Sequence, residues 1–252
     1  MPQNSRMDIT ERVRLAHGDA WEMDGRARAA RGGGATRVAG ARLMSSGLPA
    51  RQWNSGDVVS LPVDVDAARR WYCEHVVPWG LVVPVELDFA PGDYLFTKRC
   101  MGLTPASCSS FEPPAGVCFR EAKPSDLDAY AALDARVFGS PIEPLRSWIG
   151  GSFGTPGWTH WLAEVEGGPI GMLRAQRTDL DGGPCGTITG VGVAESHRRR
   201  GIGAALTSRA CAVLFDSGAT LVHLNPDTDA AASVYARIGF QEVPGWKVFA
   251  MR

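Results

Sequence analysis

The sequence contains no long apolar segment. No run approaches the roughly 18 consecutive apolar residues from which a membrane-spanning helix is built. The charged-then-apolar pattern of a secretory signal is also missing from the first residues. From these two absences we expect no membrane partner and a cytoplasmic location.

The sequence also lacks an excess of one charge. The chain has 26 basic and 27 acidic side chains and a formal net charge of −1, so its electrostatics give no reason to expect nucleic acid as a partner. Its 6 cysteines include no C-x-x-C pair, which argues against a zinc ribbon and a thioredoxin motif. We expect reduced thiols and no metal site.

Length and composition predict a globular protein of one large or two small domains. Of the 252 residues, 44% are hydrophobic and 21% are charged, which is enough apolar material for a real core. The Pro- and Gly-rich stretch at residues 112–116 is typical of a linker. It divides the chain into an N-terminal α/β domain at residues 1–112 and a C-terminal domain at residues 117–252.

Apolar spacing predicts two helices and two strands in the N-terminal part. The helices are expected over residues 9–31 and 65–75, and the strands over residues 58–61 and 81–87. In the C-terminal part a strand is expected near residue 117 and a helix from residue 124. Three sequential strands with tight glycine-containing turns follow, at residues 158–164, 170–176 and 187–193, and they predict a meander.

Arginines are frequent between Arg26 and Arg42. Acidic residues are interleaved with this region at Asp19, Glu22 and Asp24. We therefore interpret it as a solvated helix face followed by a loop, and not as a basic binding patch.

The most informative stretch lies between an apolar run and an Ala- and Leu-rich helical segment. Val191 and Val193 end the run, three arginines follow at residues 198–200, and Gly201 and Gly203 precede the helix. Glycines at a strand-to-helix junction allow a ligand to approach closely, and the free N–H groups of the first helical turn then point towards it. Because those donors carry the positive end of the helix dipole, the expected guest is a phosphate or diphosphate.

This stretch departs from two of the three phosphate-binding motifs considered. A P-loop requires a lysine and a hydroxyl residue that do not follow Gly203, and a dinucleotide fingerprint requires a glycine where Leu206 stands. The pattern Arg198-x-x-Gly201-x-Gly203 instead resembles the diphosphate loop of the GCN5-related N-acetyltransferase (GNAT) superfamily, which binds acetyl-coenzyme A. The resemblance implies an α/β fold with a mixed, mostly antiparallel central sheet flanked by helices.

The resemblance continues downstream. Asn225 ends a short strand, Tyr235 follows on the next helical segment, and Gly239 and Phe240 close that segment. In the family, the corresponding asparagine and tyrosine line a V-shaped opening between two strands that holds the pantetheine arm. The resemblance thus implies acetyl-CoA as the cofactor, bound by Val191, Gly192, Val193, Arg198, Arg199, Arg200, Gly201, Ile202, Gly203, Ala204, Asn225 and Tyr235.

The chemistry implied is transfer of the acyl group from the thioester to an acceptor, most often an amine. The acceptor nitrogen must be neutral to attack, and the departing thiolate needs a proton or a strong hydrogen-bond donor. Tyr235 is the candidate catalytic residue for the second task, because a phenol with a reference pKa of about 10 is protonated at neutral pH. The alternative is a core tyrosine packed on the sheet. The backbone N–H near Val193 is the expected contact for the acyl carbonyl.

The general base is harder to name. Many relatives place a glutamate on the fourth strand, but residues 185–193 contain no acid. The side chains left as candidates are Glu143, Glu164, Glu166 and His160, with a water relay as an equal alternative. His197 is expected to contribute to the phosphate-binding surface. Trp148, Trp158 and Trp161 could form an aromatic acceptor pocket, although most of the 8 tryptophans are expected in the core.

Residues 95–111 show a weak similarity to residues 233–249. Each segment has an aromatic residue, a basic residue soon after it, a Gly-Leu or Gly-Phe pair and a further aromatic residue. One interpretation is a degenerate GNAT-like half-domain at about residues 10–112 that lacks the arginine loop and holds no coenzyme. The other is an unrelated α/β extension. In either case we expect this part to wall one side of the acceptor cleft.

The function expected from the sequence is acetyl-CoA-dependent N-acetylation of an amine in a small molecule or peptide. Two alternatives stay open: an acyltransferase that uses a longer acyl-CoA, and a non-catalytic CoA-binding regulatory or scaffold protein. The sequence also leaves a homodimer open.

Overall fold

A computed structural model describes residues 8–252, so the first seven residues of the predicted N-terminal domain lie outside the description. Within this range the chain forms an eleven-stranded sheet and six α-helices. The strands are β1 (Gly34–Val38), β2 (Ala41–Ser45), β3 (Asn54–Val58), β4 (Gly80–Pro84), β5 (Asp93–Leu103), β6 (Cys118–Glu121), β7 (Trp158–Val165), β8 (Gly168–Leu180), β9 (Gly183–Val193), β10 (Leu221–Leu224) and β11 (Gln241–Ala250). The helices are α1 (Ile9–Ala27), α2 (Val65–His75), α3 (Leu127–Phe138), α4 (Ile142–Gly150), α5 (Ile202–Asp216) and α6 (Asp229–Ile238).

The strand order across the sheet is β1-β2-β3-β4-β11-β5-β10-β9-β8-β7-β6. Two neighbouring pairs, β3–β4 and β9–β10, run parallel, and the other neighbours run antiparallel. The prediction of a mixed, mostly antiparallel sheet flanked by helices is therefore confirmed. The predicted meander is present as β7, β8 and β9.

The helices cover both faces of the sheet. On one face α2 packs over the strands of the N-terminal half, and α5 and α6 pack over those of the C-terminal half. On the other face α1 crosses the centre of the sheet, with α3 and α4 beside it. No helix of residues 8–252 combines the length and the apolarity needed to cross a bilayer.

The two halves of the chain repeat the same topology and exchange their last strands. In the N-terminal half β1 to β4 stand in order, with α2 as the crossover between the parallel strands β3 and β4. In the C-terminal half β7 to β10 repeat this order, with α5 as the crossover between β9 and β10. The last strand of each half lies next to the other half, because β5 pairs with β10 and β11 pairs with β4. This arrangement supports a GNAT-like N-terminal half; the division at residues 112–117 remains a prediction.

The sequence similarity that suggested this repeat joins segments that are not equivalent. Residues 95–103 belong to strand β5, whereas residues 233–238 belong to helix α6. That correspondence is wrong, since a strand cannot be matched to a helix. The structural counterpart of β5 is β11, and the two lie side by side at the centre of the sheet.

The arginine-rich region is also different from the prediction. The helix expected to residue 31 ends at Ala27, and a hairpin of β1 and β2 follows. Arg28 and Arg42 are only 2% and 4% exposed. Arg28 Nη1 donates to Asp24 Oδ1 at 2.6 Å, and Arg42 pairs with Asp19. The interleaved acids of α1 are thus buried counter-ions, without which these guanidinium groups could not be buried.

Smaller differences concern the strands near the centre. The strand expected at residues 58–61 is wrong in its position, because β3 (Asn54–Val58) shares only Val58 with it. The strand expected at residues 81–87 is β4, which ends at Pro84. The helix expected over residues 65–75 is α2 and has those bounds. Its first turn is fixed by Asp64, whose carboxylate accepts a hydrogen bond from the N–H of Ala67.

Candidate active site

Strands β9 and β10 separate before β9 ends. They pair in parallel only as far as Ile188 and Leu224, so residues 189–193 of β9 have no strand partner on that side within the described chain. On the other side a bulge interrupts the pairing with β8, since Met172 faces Gly192 while Arg174 faces Thr189. The bulge and the missing partner together expose polar backbone groups along the inner edge of β9.

The turn after β9 ends at a helix terminus that has no cap. Gly201 precedes α5 with a positive φ of 82°, a conformation that favours glycine. No side chain of residues 8–252 caps this terminus, and the first turn contains no acidic residue. The N–H groups of Ile202, Gly203 and Ala204 therefore remain available to an anion.

Three guanidinium groups surround this terminus. Arg198, Arg199 and Arg200 are exposed, and none of them forms an ion pair with the part of the chain that the structure describes. Arg198 Nε donates to the carbonyl oxygen of Val193 at 3.0 Å and so joins the turn to the end of β9. His197 lies beside Arg198 in the wall of a neighbouring cavity of about 580 Å³. Residues 194–201, which connect β9 to α5, are called the arginine turn below. The arginine turn is therefore a surface of concentrated positive charge with no acidic partner in the described chain.

A cavity of about 780 Å³ opens where β9 and β10 separate. It lies between α3, α4, the free edge of β9 and the start of α6. Six of the residues predicted to bind the coenzyme line it: Val191, Gly192, Val193, Arg198, Asn225 and Tyr235. The other six, Arg199, Arg200, Gly201, Ile202, Gly203 and Ala204, lie beyond the cavity in the turn and the first residues of α5.

Tyr235 is buried in the cavity wall, with 8% of its surface exposed. Its hydroxyl makes no hydrogen bond to residues 8–252, and burial raises the pKa of Tyr235 to about 12. The phenol therefore keeps its proton at neutral pH. Asn225 has a structural contact as well, because its Nδ2 donates to the carbonyl oxygen of Arg99 at 2.6 Å and ties the end of β10 to β5.

The four side chains considered as general bases lie outside this cavity. Glu164 is held by Arg120 at 2.8 Å, and Glu143 and Glu166 are not part of the cavity wall. His160 is 3% exposed and hydrogen-bonds Ser152, and burial lowers its pKa to about 3. These expectations are not supported by the geometry.

Asp134 is the buried carboxylate that sequence reasoning missed. It lies on α3, lines the cavity and is 8% exposed. The carboxylate lies beside the bulge of β9, next to Gly190. A Cβ atom at position 190 would be 3.8 Å from Asp134 Oδ2. Burial raises the pKa of Asp134 to about 6, with Arg174 acting in the opposite direction. The sequence does contain a signal for this role. Asp134 stands one helical turn after Tyr130 and one turn before Val137, so the three side chains share a face of α3, and all three line the cavity.

The N-terminal half completes the cavity. Gln52 and Trp53, from the short 3₁₀-helix Arg51–Trp53, form part of its wall. The Trp53 ring stacks on that of Trp148, with 5.4 Å between ring centroids and an interplanar angle of 2°. Trp148 therefore belongs to the cavity and not only to the core.

Solved structures with a similar fold cover almost the whole chain. A GCN5-related N-acetyltransferase from Kribbella flavida aligns with a TM-score of 0.70 at 19% identity, over 97% of this chain and 96% of that one. One from Sphaerobacter thermophilus aligns with a TM-score of 0.58 at 18% identity, over 94% and 90%. A tandem GNAT protein from the clavulanic acid biosynthesis pathway aligns with a TM-score of 0.58 at 16% identity, over 84% and 78%. At these identities the likeness establishes the fold.

Sequence comparison identifies the family of the C-terminal half. No curated protein matches the chain. The model of the acetyltransferase (GNAT) family matches residues 127–240, which run from the start of α3 to the residue before β11. This segment contains the arginine turn, the free edge of β9 and Tyr235. Residues 127–240 are therefore a domain of the acetyltransferase (GNAT) family.

Proposed function

We propose that the protein is an acetyl-CoA-dependent N-acetyltransferase that transfers the acetyl group to an amine of a small molecule or peptide. The main observation in support is that the unpaired edge of β9 and the N-terminus of α5 form one continuous surface. The free edge of β9 runs along the cavity and leads directly to the uncapped, arginine-rich terminus of α5. Such a surface suits an elongated carrier with a diphosphate at one end and a thioester at the other.

The residues present fit the coenzyme. The N–H groups at the start of α5 and the guanidinium groups of residues 198–200 would hold the diphosphate, since they combine free donors with unneutralised positive charge. The unpaired backbone of residues 189–193 would hold the amides of the pantetheine arm, as a missing strand would. When bound, acetyl-CoA supplies the activated acetyl group as a thioester.

Two side chains of the cavity have proton affinities suited to the transfer. Asp134 is positioned to accept the proton that the acceptor nitrogen loses as its bond to the acetyl carbon forms. With a pKa near 6 it is mostly ionised at neutral pH and still basic enough to act. Tyr235, which remains protonated, is positioned to donate to the sulfur as the carbon–sulfur bond breaks.

Calorimetric titration with coenzyme A and acetyl-CoA tests the first half of this proposal. Arg198→Ala should weaken the affinity for both, whereas Arg209→Ala, which removes an exposed arginine further along α5, should not. If the wild-type protein binds neither compound, the proposal is wrong.

Thiol release from acetyl-CoA in the presence of a panel of amines tests the second half. Turnover with acetyl-CoA and an amine is the expected result. Faster turnover with a longer acyl-CoA would favour the longer-chain alternative. Binding without turnover on any amine would favour a regulatory coenzyme-binding protein.

A further inference from the structure

Arg174 presents a positive charge to the cavity without an acidic partner. It lies on β8, is half-buried and lines the cavity. Its Nε donates to Thr189 Oγ1 at 3.0 Å, and its guanidinium carbon lies 5.2 Å from the Trp148 ring centroid. Within residues 8–252 it forms no ion pair, in contrast to Arg28 on the same tryptophan, which is paired with Asp24. A half-buried guanidinium that keeps its terminal nitrogens free is suited to an anionic ligand.

That ligand is not the diphosphate of the carrier. Thr189 marks the start of the unpaired segment of β9, and Val193 marks its end, where Arg198 attaches. Four residues of extended chain correspond to about 13 Å. Arg174 therefore lies at the opposite end of the cleft from the arginine turn.

Asp134 lies in the same cavity and does not neutralise Arg174. The positive charge of Arg174 lowers the pKa of Asp134, against the larger effect of burial. No hydrogen bond or ion pair joins the two side chains in the described chain. The Asp134 carboxylate and the Arg174 guanidinium therefore both keep the capacity to form charge-assisted hydrogen bonds with a ligand. Trp53 and Trp148 provide an apolar wall next to this space.

We propose that the acceptor is a small amino acid-like molecule, whose amine faces Asp134 and whose carboxylate is bound by Arg174. This inference rests on the proposed function, because it names the acceptor class of the same site. The rest of the acceptor lies against the stacked tryptophans, one of which comes from the N-terminal half. A free carboxylate on the acceptor is therefore a requirement for efficient transfer, and a neutral amine of the same shape is a poor substrate.

Matched acceptor series test this requirement. Phenylalanine, leucine, glutamine, β-alanine and 4-aminobutyrate are each compared with their carboxamides and with the amines that lack the carboxyl group, and thiol release from acetyl-CoA is measured. We expect kcat/KM of the best carboxylate to exceed that of its carboxamide by at least about 10-fold, the usual effect of one charged hydrogen bond. Arg174→Gln should remove this preference mainly through KM, and Arg174→Lys should restore part of it.

Arg177→Gln is the matched control, since Arg177 lies on the same strand, is half-buried and faces a different cavity. It should keep the wild-type preference. Equal or faster turnover of the carboxamides or simple amines would overturn the inference, as would an unchanged preference in Arg174→Gln. Coenzyme binding without turnover of any series would overturn it too. A wild-type protein that fails to bind coenzyme A in calorimetry would instead refute the proposed function itself.

Discussion

Replacing Asp134 by asparagine should inactivate the protein and stabilise its fold at the same time. Burial raises the pKa of this carboxyl from 3.8 to about 6, so the folded state binds the proton more tightly than the unfolded state. Stability then falls as the pH rises from the unfolded pKa to the folded pKa. At 1.36 kcal/mol per pKa unit, the ionised carboxylate costs the fold up to about 3 kcal/mol at pH 7. Asp134→Asn removes this cost.

The expected result has a defined pH dependence. At pH 7 the free energy of unfolding of Asp134→Asn should exceed that of the wild type by up to about 3 kcal/mol, and this gain should disappear as the pH falls from about 6 towards 4. In activity assays the wild-type kcat/KM should rise with pH through about 6, where the base becomes ionised. The variant should lose this limb and about 10²- to 10⁴-fold in rate.

Urea unfolding at pH 4, 5.5 and 7, combined with thiol-release assays, measures both effects. Asp128→Asn is the matched control on the same helix, because that side chain is 76% exposed and, among residues 8–252, pairs only with Arg146 at the surface. Its stability should change by no more than about 0.5 kcal/mol. An Asp134→Asn protein that is less stable than the wild type at pH 7, or one that keeps the wild-type pH profile, would refute the reasoning.

Three further substitutions address the other parts of the site and the core. Tyr235→Phe should lower kcat by about 10²-fold with little change in the Kd for coenzyme A, and an unchanged rate would exclude its role as proton donor. Gly201→Val forces a β-branched residue into a positive φ of 82° and should abolish coenzyme binding in calorimetry; full affinity would contradict the assigned anion site. Arg42→Met leaves Asp19 buried without its cation and should cost about 3–5 kcal/mol in urea unfolding, whereas a loss below about 1 kcal/mol would show that the pair is dispensable.

Local signals allowed much of the C-terminal half to be predicted. The meander could be placed from apolar spacing and the tight glycine turns between its strands. In the N-terminal half, apolar spacing alone gave the bounds of helix α2. The arginine turn could be found because the glycines and arginines of its binding surface are adjacent in the chain. Features of this kind depend on neighbouring residues, and one sequence is enough to recognise them.

The missed features depend on contacts between distant parts of the chain. Arg42 is buried because Asp19, 23 residues earlier, lies opposite it on α1, and no local pattern shows that pairing. The raised pKa of Asp134 results from its burial in the cavity wall. The position of β5 between β10 and β11 joins the two halves, so it could not be derived from either half alone.

The crossover helices α2 and α5 occupy equivalent positions in the two halves, but only the N-terminus of α5 is suited to bind an anion. Helix α5 begins at an uncapped glycine with no acid in its first turn, and arginines precede it. Helix α2 begins with Asp64, whose carboxylate already accepts the N–H of Ala67, and Asp66 adds a negative charge to that turn. A phosphate at α2 would have to displace one carboxylate and be repelled by another, so the same topology is unfavourable for an anion there. The contribution of the N-terminal half lies elsewhere: Trp53 forms part of the cavity wall, and the carbonyl oxygen of Arg99 on β5 holds Asn225 at the point where β9 and β10 separate.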